Sequence, residues 1–495
     1  MLVFWQSHAE YQQFVTERWL ELYTNHAGNL EYHDALISKL WYLDLDPVLE
    51  LLAPYYGQSG RPAVNQPQIL RALVAMSHCG YDSVTSWVKV LRSDPVLVMA
   101  CGFEDGHIPG IGTFYDFLDR LWLEEPKQKR PRAKNRKPGK PQKKGEKLKP
   151  RHDGIVAQIV DKAMEGRTAH HCPQSLFQKL FTQVAVLPSA QLGLLGDTNN
   201  LTISGDGTPV ESGSSPYGKP TCTCRKQRIF SCDCKRIYSD PDARWGWDSY
   251  REVFFYGYSI YVYSTCDGNY DLPLLLDIAQ ANRHDGPFSV FCLSRLRQLL
   301  PDFIFARAIY DSAHDAYAIY KLHHFWHIAP IIDLNLGNTG NRKYPDKIII
   351  SENGVPICPA GHKMVNWGYD PNDRNRIKWR CPKACRKDVK CEIDCSNSAY
   401  GRTFYTKPTD DYRLFTNPVR GSKAWKDLYN KRSSAERVNK RLTVDYKTEQ
   451  TRCRSKKGVF ARITLAGINV HLDAQIKDKQ FSFFSYATVI MNQVA

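Results

Sequence analysis

The chain has 495 residues, 42% hydrophobic and 12% aromatic, enough apolar surface for a substantial core and too much for a disordered chain. Its 67 Lys and Arg against 51 Asp and Glu give a net charge of +16, a balance that favours an anionic polymer as partner. No apolar run reaches the roughly 18 residues of a membrane span, and Glu10, Glu17 and Arg18 stand where a secretory leader would be apolar. The expectation is a soluble, cytoplasmic protein.

At about 150 residues per domain the length suggests three domains, or two with a large insertion. Residues 1–125 read as a helical N-terminal domain. Helices are expected over Gln66–Met76, from Ser83 or Thr85 onward, and over Thr113–Trp122, each with its apolar residues on one face. Residues 126–151 form a basic, Pro-rich linker with almost nothing to bury; from Lys127 it holds thirteen Lys or Arg and one acid, Glu146. Such a run either contacts nucleic acid phosphates or is simply solvated.

Between 152 and 335 the pattern turns to strands: Leu201 to Asp206, Val253–Thr265, Leu272–Ile278, Ile304–Tyr310 and His327–Leu334. Helices Phe288–Leu300 and Ala313–Leu322 interleave with them. That order describes an α/β fold with strands of mixed direction. Residues 336–410 break the pattern with Gly, Asn, Pro and clustered Cys and read as an insertion. Helical periodicity returns within 411–495, over Lys423–Arg441 and Lys457–Ile476.

Nine of the fifteen cysteines fall in two groups, which points to metal rather than disulfides in a chain of this length. Cys222, Cys224, Cys232 and Cys234 sit in a small insertion at about 212–240. They suit a tetrahedral structural Zn²⁺ site, although C-x-C is tighter than the usual knuckle and free thiols are the alternative. Cys358, His362, Cys381, Cys385, Cys391 and Cys395, in the larger insertion, offer more ligands than one zinc needs, so the ligand set stays open.

Asp206 and Asp311 each follow an apolar stretch, and Glu436 lies on a late helix. Converging carboxylates can hold a pair of Mg²⁺ or Mn²⁺ ions for phosphodiester chemistry. Tyr429, Arg432 and Glu436, at i, i+3 and i+7, share a helical face with Lys440, which equally describes a surface helix with ion pairs. Asp285 and Asp315 end no apolar strand as directly as Asp311 does.

The series ISGDGTPV, AIYDSAHDA and Tyr429-x2-Arg432-x3-Glu436 resembles the DDE transposases of bacterial insertion sequences, in particular the group with a Tyr-x2-Arg-x3-Glu-x6-Lys signature. RPAVNQPQILRALVAMSHCGYDSV and GTFYDFLDRL resemble the same group's N-terminal region. The resemblance implies an RNase H-like catalytic core, with Asp206, Asp311 and Glu436 as its metal-binding triad and Tyr429 and Arg432 on DNA. It also implies end cleavage followed by strand transfer, and a synaptic complex of at least two copies. The final signature position holds Thr443 instead of Lys, leaving Lys440 or Lys447 as substitutes. A zinc-containing DNA-binding protein without catalysis and a structure-specific nuclease are the other readings.

Overall fold

The computed structural model describes residues 2, 4–57, 59–125, 129–139, 154–167, 172–335, 348–370, 374–386, 388–393, 395–449 and 452–494. The chain opens on helices α1 His8–Tyr32, α2 Asp34–Tyr42, α3 Asp46–Leu52, α4 Gln66–His78, α5 Val84–Ser93, α6 Pro95–Ala100 and α7 Ile111–Arg120. Polar caps fix several starts: Ser7 and Glu10 form a capping box on α1, and Asp94 accepts from the backbone of Val96 and Leu97 on α6. Of the expected basic linker, 129–139 are extended, and the remainder, 126–128 and 140–151, lies outside the described residues.

Helices α8 Gly154–Met164, α9 Ser175–Phe181 and α10 Leu187–Gln191 lead into β1 Leu201–Glu211. The short pair β2 Lys219–Pro220 and β3 Arg236–Ile237 follows, then β4 Arg244–Asp248, β5 Val253–Thr265 and β6 Pro273–Gln280. Next come α11 Asp285–Leu299, β7 Phe305–Tyr310, α12 Tyr317–Phe325 and β8 Ala329–Ile332. In the central sheet β1 runs antiparallel to β5, from Ile203 opposite Thr265 to Glu211 opposite Gly257, and parallel to β7, which in turn pairs parallel with β8. β6 and β4 share the far edge of β5. The result is a mixed sheet of an α/β fold.

The parallel pairing of β1 with β7 ends at Ser204, opposite Ile309, while its antiparallel pairing continues to Glu211. Asp206 is therefore inside a strand, not at its end as the sequence pattern suggested. It lies just beyond the point where β1 loses its parallel neighbour.

The insertion contains β9 Ile349–Ile350, β10 Pro356–Ile357, β11 Val365–Asp370, β12 Arg376–Arg380, α13 Pro382–Cys385 and β13 Thr403–Thr406, with β12 central in a three-stranded antiparallel sheet. It has its own core, in which Trp379, Ile377, Ile348, Met364 and Phe415 are buried. The chain ends with α14 Lys423–Tyr429, α15 Ser433–Lys440, α16 Lys456–Lys479 and α17 Phe483–Val494.

Helix α16 is apolar on nearly every side because it is buried between the sheet and the N-terminal helices. Its Asn469 donates to the Val74 carbonyl at 3.0 Å, its Asp473 pairs with Lys39 at 2.6 Å, and its His471 bonds the Pro273 carbonyl at 2.8 Å. One continuous core thus joins the N-terminal helices to the sheet. Among the described residues no helix is long and apolar enough to cross a membrane.

Candidate active site

Three stretches of backbone meet at one end of the sheet. The first is Gly205-Asp206-Gly207 in β1. Both glycines are there for space: an added Cβ would lie 2.6 Å from the Tyr261 hydroxyl at Gly205 and 2.5 Å from Asp285 Oδ1 at Gly207. Asp285, the first residue of α11, is thereby brought against the strand beside Asp206. Its helix starts three residues earlier than the apolar pattern indicates, which is why the pattern gives Asp285 little weight.

The second stretch is the end of β7. Asp311 follows Tyr310 directly and caps a 3₁₀ turn, Ser312–His314, by accepting from Ala313 N at 3.0 Å. The buried His314 ring bonds Asp311 through Nδ1 at 2.8 Å and Tyr261 through its other nitrogen at 2.9 Å, and it stacks on Tyr310. His314 thus orients Asp311; the spacing Asp-x2-His is its only trace in the sequence.

The third stretch is the late helix, which is broken: α14, a 3₁₀ turn at Asn430–Arg432, α15, then a π turn at Arg441–Asp445. Small residues let α15 lie close to the sheet, with Ala435 fully buried and Ser434 donating to the Thr265 carbonyl at 2.7 Å. That approach sets Glu436 and Asn439 over β1. Asn439 Nδ2 donates to Asp206 Oδ2 at 3.0 Å, while its Oδ1 is buried without a hydrogen-bond partner. Glu436 is half-exposed and paired with Arg432.

Asp206, Asp285, Arg432, Glu436, Asn439 and Lys440 line an open cavity of about 2010 Å³. That is larger than a small-ligand pocket and fits a polymer. Burial first, then the charges of Asp311 and Asp285, push the Asp206 carboxyl up to about 7. Burial and the Asp311 charge also raise Asp285 against the pull of His314. Burial acts to raise Asp311 too, but the His314 bond and charge, the Ala313 N–H and Arg432 outweigh it and hold Asp311 below the usual range.

This gathering of carboxyl oxygens, with the orphaned Asn439 oxygen among them, fits oxygen-liganded divalent cations. The acids are not closed on one another, however. Among the described residues only the four cysteines place three or more ligand atoms within 4.8 Å.

The remaining expected site residues divide. Tyr429 stacks on Trp425 with ring centroids 4.9 Å apart, beneath the helix. Thr443, at the signature's lysine position, is buried in the π turn with its hydroxyl on the Asn439 carbonyl at 2.8 Å. Lys440 reaches the cavity, whereas the Lys447 ammonium lies beside Gly80 of the N-terminal region. Asp315 is fully buried in a two-pronged pair with Arg413, at 2.7 and 2.5 Å, a structural role.

The cysteine groups part in the same way. Cys222–Cys232 and Cys224–Cys234 sulfurs are 3.6 Å apart, close to the roughly 3.8 Å between ligands of a tetrahedral zinc–thiolate site. The Cys224 backbone N–H, first among its neighbours, draws the Cys222 thiol down to about 7. The second group does not assemble: no three of Cys358, His362, Cys381, Cys385, Cys391 and Cys395 converge. Cys358 is part of the insertion's apolar core.

With that geometry in view, the comparison with known families is decisive. A family model described as a transposase DDE domain matches residues 203–470. This chain belongs to that family. The match begins in β1 and ends in α16, so the DDE domain spans the central sheet, the insertion and the late helices. No curated protein matches the chain. Family membership makes DNA the expected partner of this transposase.

Proposed function

We propose that the chain is the transposase of a bacterial insertion sequence, with an RNase H-like core and Asp206, Asp311 and Glu436 as its catalytic triad. The sheet supports the fold reading: a central β1 with antiparallel β5 and β6 on one side and parallel β7 and β8 on the other. The observation that carries the function is that, within a DDE transposase domain, β1 and α15 carry Asp206 and Glu436 along the wall of one polymer-sized cavity, with Asp311 at the end of β7 near enough for its charge to raise the Asp206 carboxyl.

Asp206, Asp311 and Glu436 would hold the Mg²⁺ or Mn²⁺ ions, with Asp285 beside them. Cations bound there activate the attacking oxygen and stabilise the leaving oxygen of a phosphodiester. His314 keeps the Asp311 carboxylate ionised and fixed, and Asn439 does the positioning for Asp206. Arg432 and Lys440, beside Glu436 on the cavity wall, would clamp phosphate oxygens. Lys440 takes the part of the signature lysine. The four cysteines hold a structural Zn²⁺. Cleavage frees a 3′-hydroxyl that attacks target DNA in line, within a complex of at least two copies.

The test is a cleavage assay with full-length protein, Mg²⁺ and DNA carrying the gene's native flanks, run beside Glu436→Gln. Metal-dependent nicks at one position on each flank, absent from the variant, and a joined product are expected. Salt-sensitive binding without any cut would reduce the protein to a DNA-binding role, and cutting without joining would make it a nuclease.

A further inference from the structure

Residues 129–139 lie along the four-cysteine loop in a way that a solvated linker has no reason to adopt. Arg132 exchanges both backbone hydrogen bonds with Arg236, at 3.0 and 2.8 Å, and so bridges onto the free edge of β3. Its guanidinium donates to the carbonyls of Pro241 and Asp240 and lies 4.4 Å over the Tyr238 ring. Asn135 donates its backbone N–H to the Tyr238 hydroxyl at 2.7 Å and its side-chain amide to the Tyr256 hydroxyl at 3.0 Å. The Lys137 ammonium sits over Trp245 and Phe254, 4.9 and 5.3 Å from the ring centres. Pro138 and Gly139 then form part of the wall of the cavity that holds Asp206 and Glu436.

The support under this arm is thin. Residues 215–237 are exposed or half-exposed throughout, and the loop contributes no residue to any hydrophobic core. A segment without a core depends on a staple, and the cysteine sulfurs have the spacing of one. Along the outer side run the exposed cations Lys129, Arg136, Arg225, Lys226 and Arg228, with Asp233 against Arg136 at 3.4 Å as the paired acid.

We propose that residues 129–139 form a basic arm that holds the phosphate backbone of duplex DNA at the entrance of the cavity, and that a metal ion on Cys222, Cys224, Cys232 and Cys234 keeps the arm in place. The proposal rests on the transposase reading and adds to it a docking surface and the device that fixes it. The metal has no part in the chemistry. It closes the loop, the closed loop presents the edge of β3, and that edge pairs with Arg132.

Two measurements on the full-length protein test this. In the first, binding to duplex DNA is followed against salt for wild type and for Lys129→Ala/Arg136→Ala/Lys226→Ala, which leaves the Arg132 and Asn135 anchors intact. Each phosphate that the protein no longer neutralises lowers the slope of log K against log salt by about 0.9, so the slope of the triple variant should fall by about 2.7. In the second, amide exchange over 129–139 is measured in wild type, after zinc removal and re-addition, and in Arg132→Ala. Protection is expected to fall at least tenfold on removal, to return with zinc alone, and to be lost permanently in Arg132→Ala, while β1 and α16 keep theirs. An unchanged salt slope in the triple variant, or an arm equally protected without zinc, overturns the proposal. Failure of the transposase reading is distinct: wild type would then neither cut the flanks nor bind duplex DNA in a salt-dependent way.

Discussion

At the four-cysteine loop every sulfur lies within 4.8 Å of the others, whereas the acids at and beside the cavity each have a partner of their own. Asp311 has His314, Glu436 has Arg432 and Asp206 has Asn439. The difference follows from what surrounds them. The loop has no core, and its four sulfurs have the spacing of a tetrahedral metal site. The cavity acids hang from a sheet and helix already fixed by Tyr261, Tyr263, Ala435 and Val438, all fully buried. Their backbone is held by the fold itself, without a cation. The insertion's six scattered candidates make the same point in reverse: with Trp379 and Ile377 buried at its centre, that region folds around apolar side chains and leaves its thiols unassembled.

The comparison is broken most severely at the acids. Asp206→Asn, Asp311→Asn and Glu436→Gln should each lower metal-dependent cleavage by about a thousandfold or more, roughly 4 kcal/mol of barrier, with DNA binding kept near wild type. Loss of binding in all three would instead show that the acids maintain the fold. Zinc removal should act on the other region alone. Trypsin cutting at Arg225, Lys226 and Arg228 should accelerate at least tenfold on chelation, while sites in the insertion keep their rates; equal acceleration in both regions would erase the distinction.

Smaller effects sharpen it. Asp206 titrates near 7 in the cation-free chain, so a cation entering below that pH must displace a proton. Calorimetric Mg²⁺ affinity should therefore be flat above about pH 7.5 and weaken by up to about tenfold per unit below 6.5. A folded-state value raised above the ordinary 3.8 means that the folded chain binds the extra proton, so Asp206 costs stability as pH rises from about 4 to 7. Asp206→Asn without divalent cations should accordingly raise the melting temperature by a few degrees at pH 8 and leave it nearly unchanged at pH 4. The smallest effect is expected at Cys391→Ser, within about 0.5 kcal/mol by denaturant unfolding, in contrast to about 3–5 kcal/mol for Trp379→Ala in the same insertion.

Much of this protein is legible in the residues alone. The apolar runs around Ile203, Val262, Leu275 and Ile309 identify the strands because a buried sheet demands β-branched and aromatic residues. The pair of C-x-C motifs identifies the loop because four soft ligands so close in sequence must meet. Asp206, Asp311 and Glu436 stand out by the order of their motifs. What the sequence could not carry was anything that depends on two distant segments approaching each other. Asp285 stands against Asp206 only because Gly207 leaves the space, and Asn439 reaches Asp206 only because Ser434 and Ala435 let α15 settle on β5. Thr443 is buried within the π turn that follows α15, while Lys440, on α15 itself, stays exposed. Cys358 is taken up by an apolar core formed by strands on either side of it. The basic arm reads as linker by composition, and only its pairing with Arg236, 104 positions further along the chain, makes it part of a surface. Local pattern fixes which residues can form strands, helices and ligand pairs; which of them meet is decided by long-range packing, whose energy belongs to pairs of segments and is written in neither one.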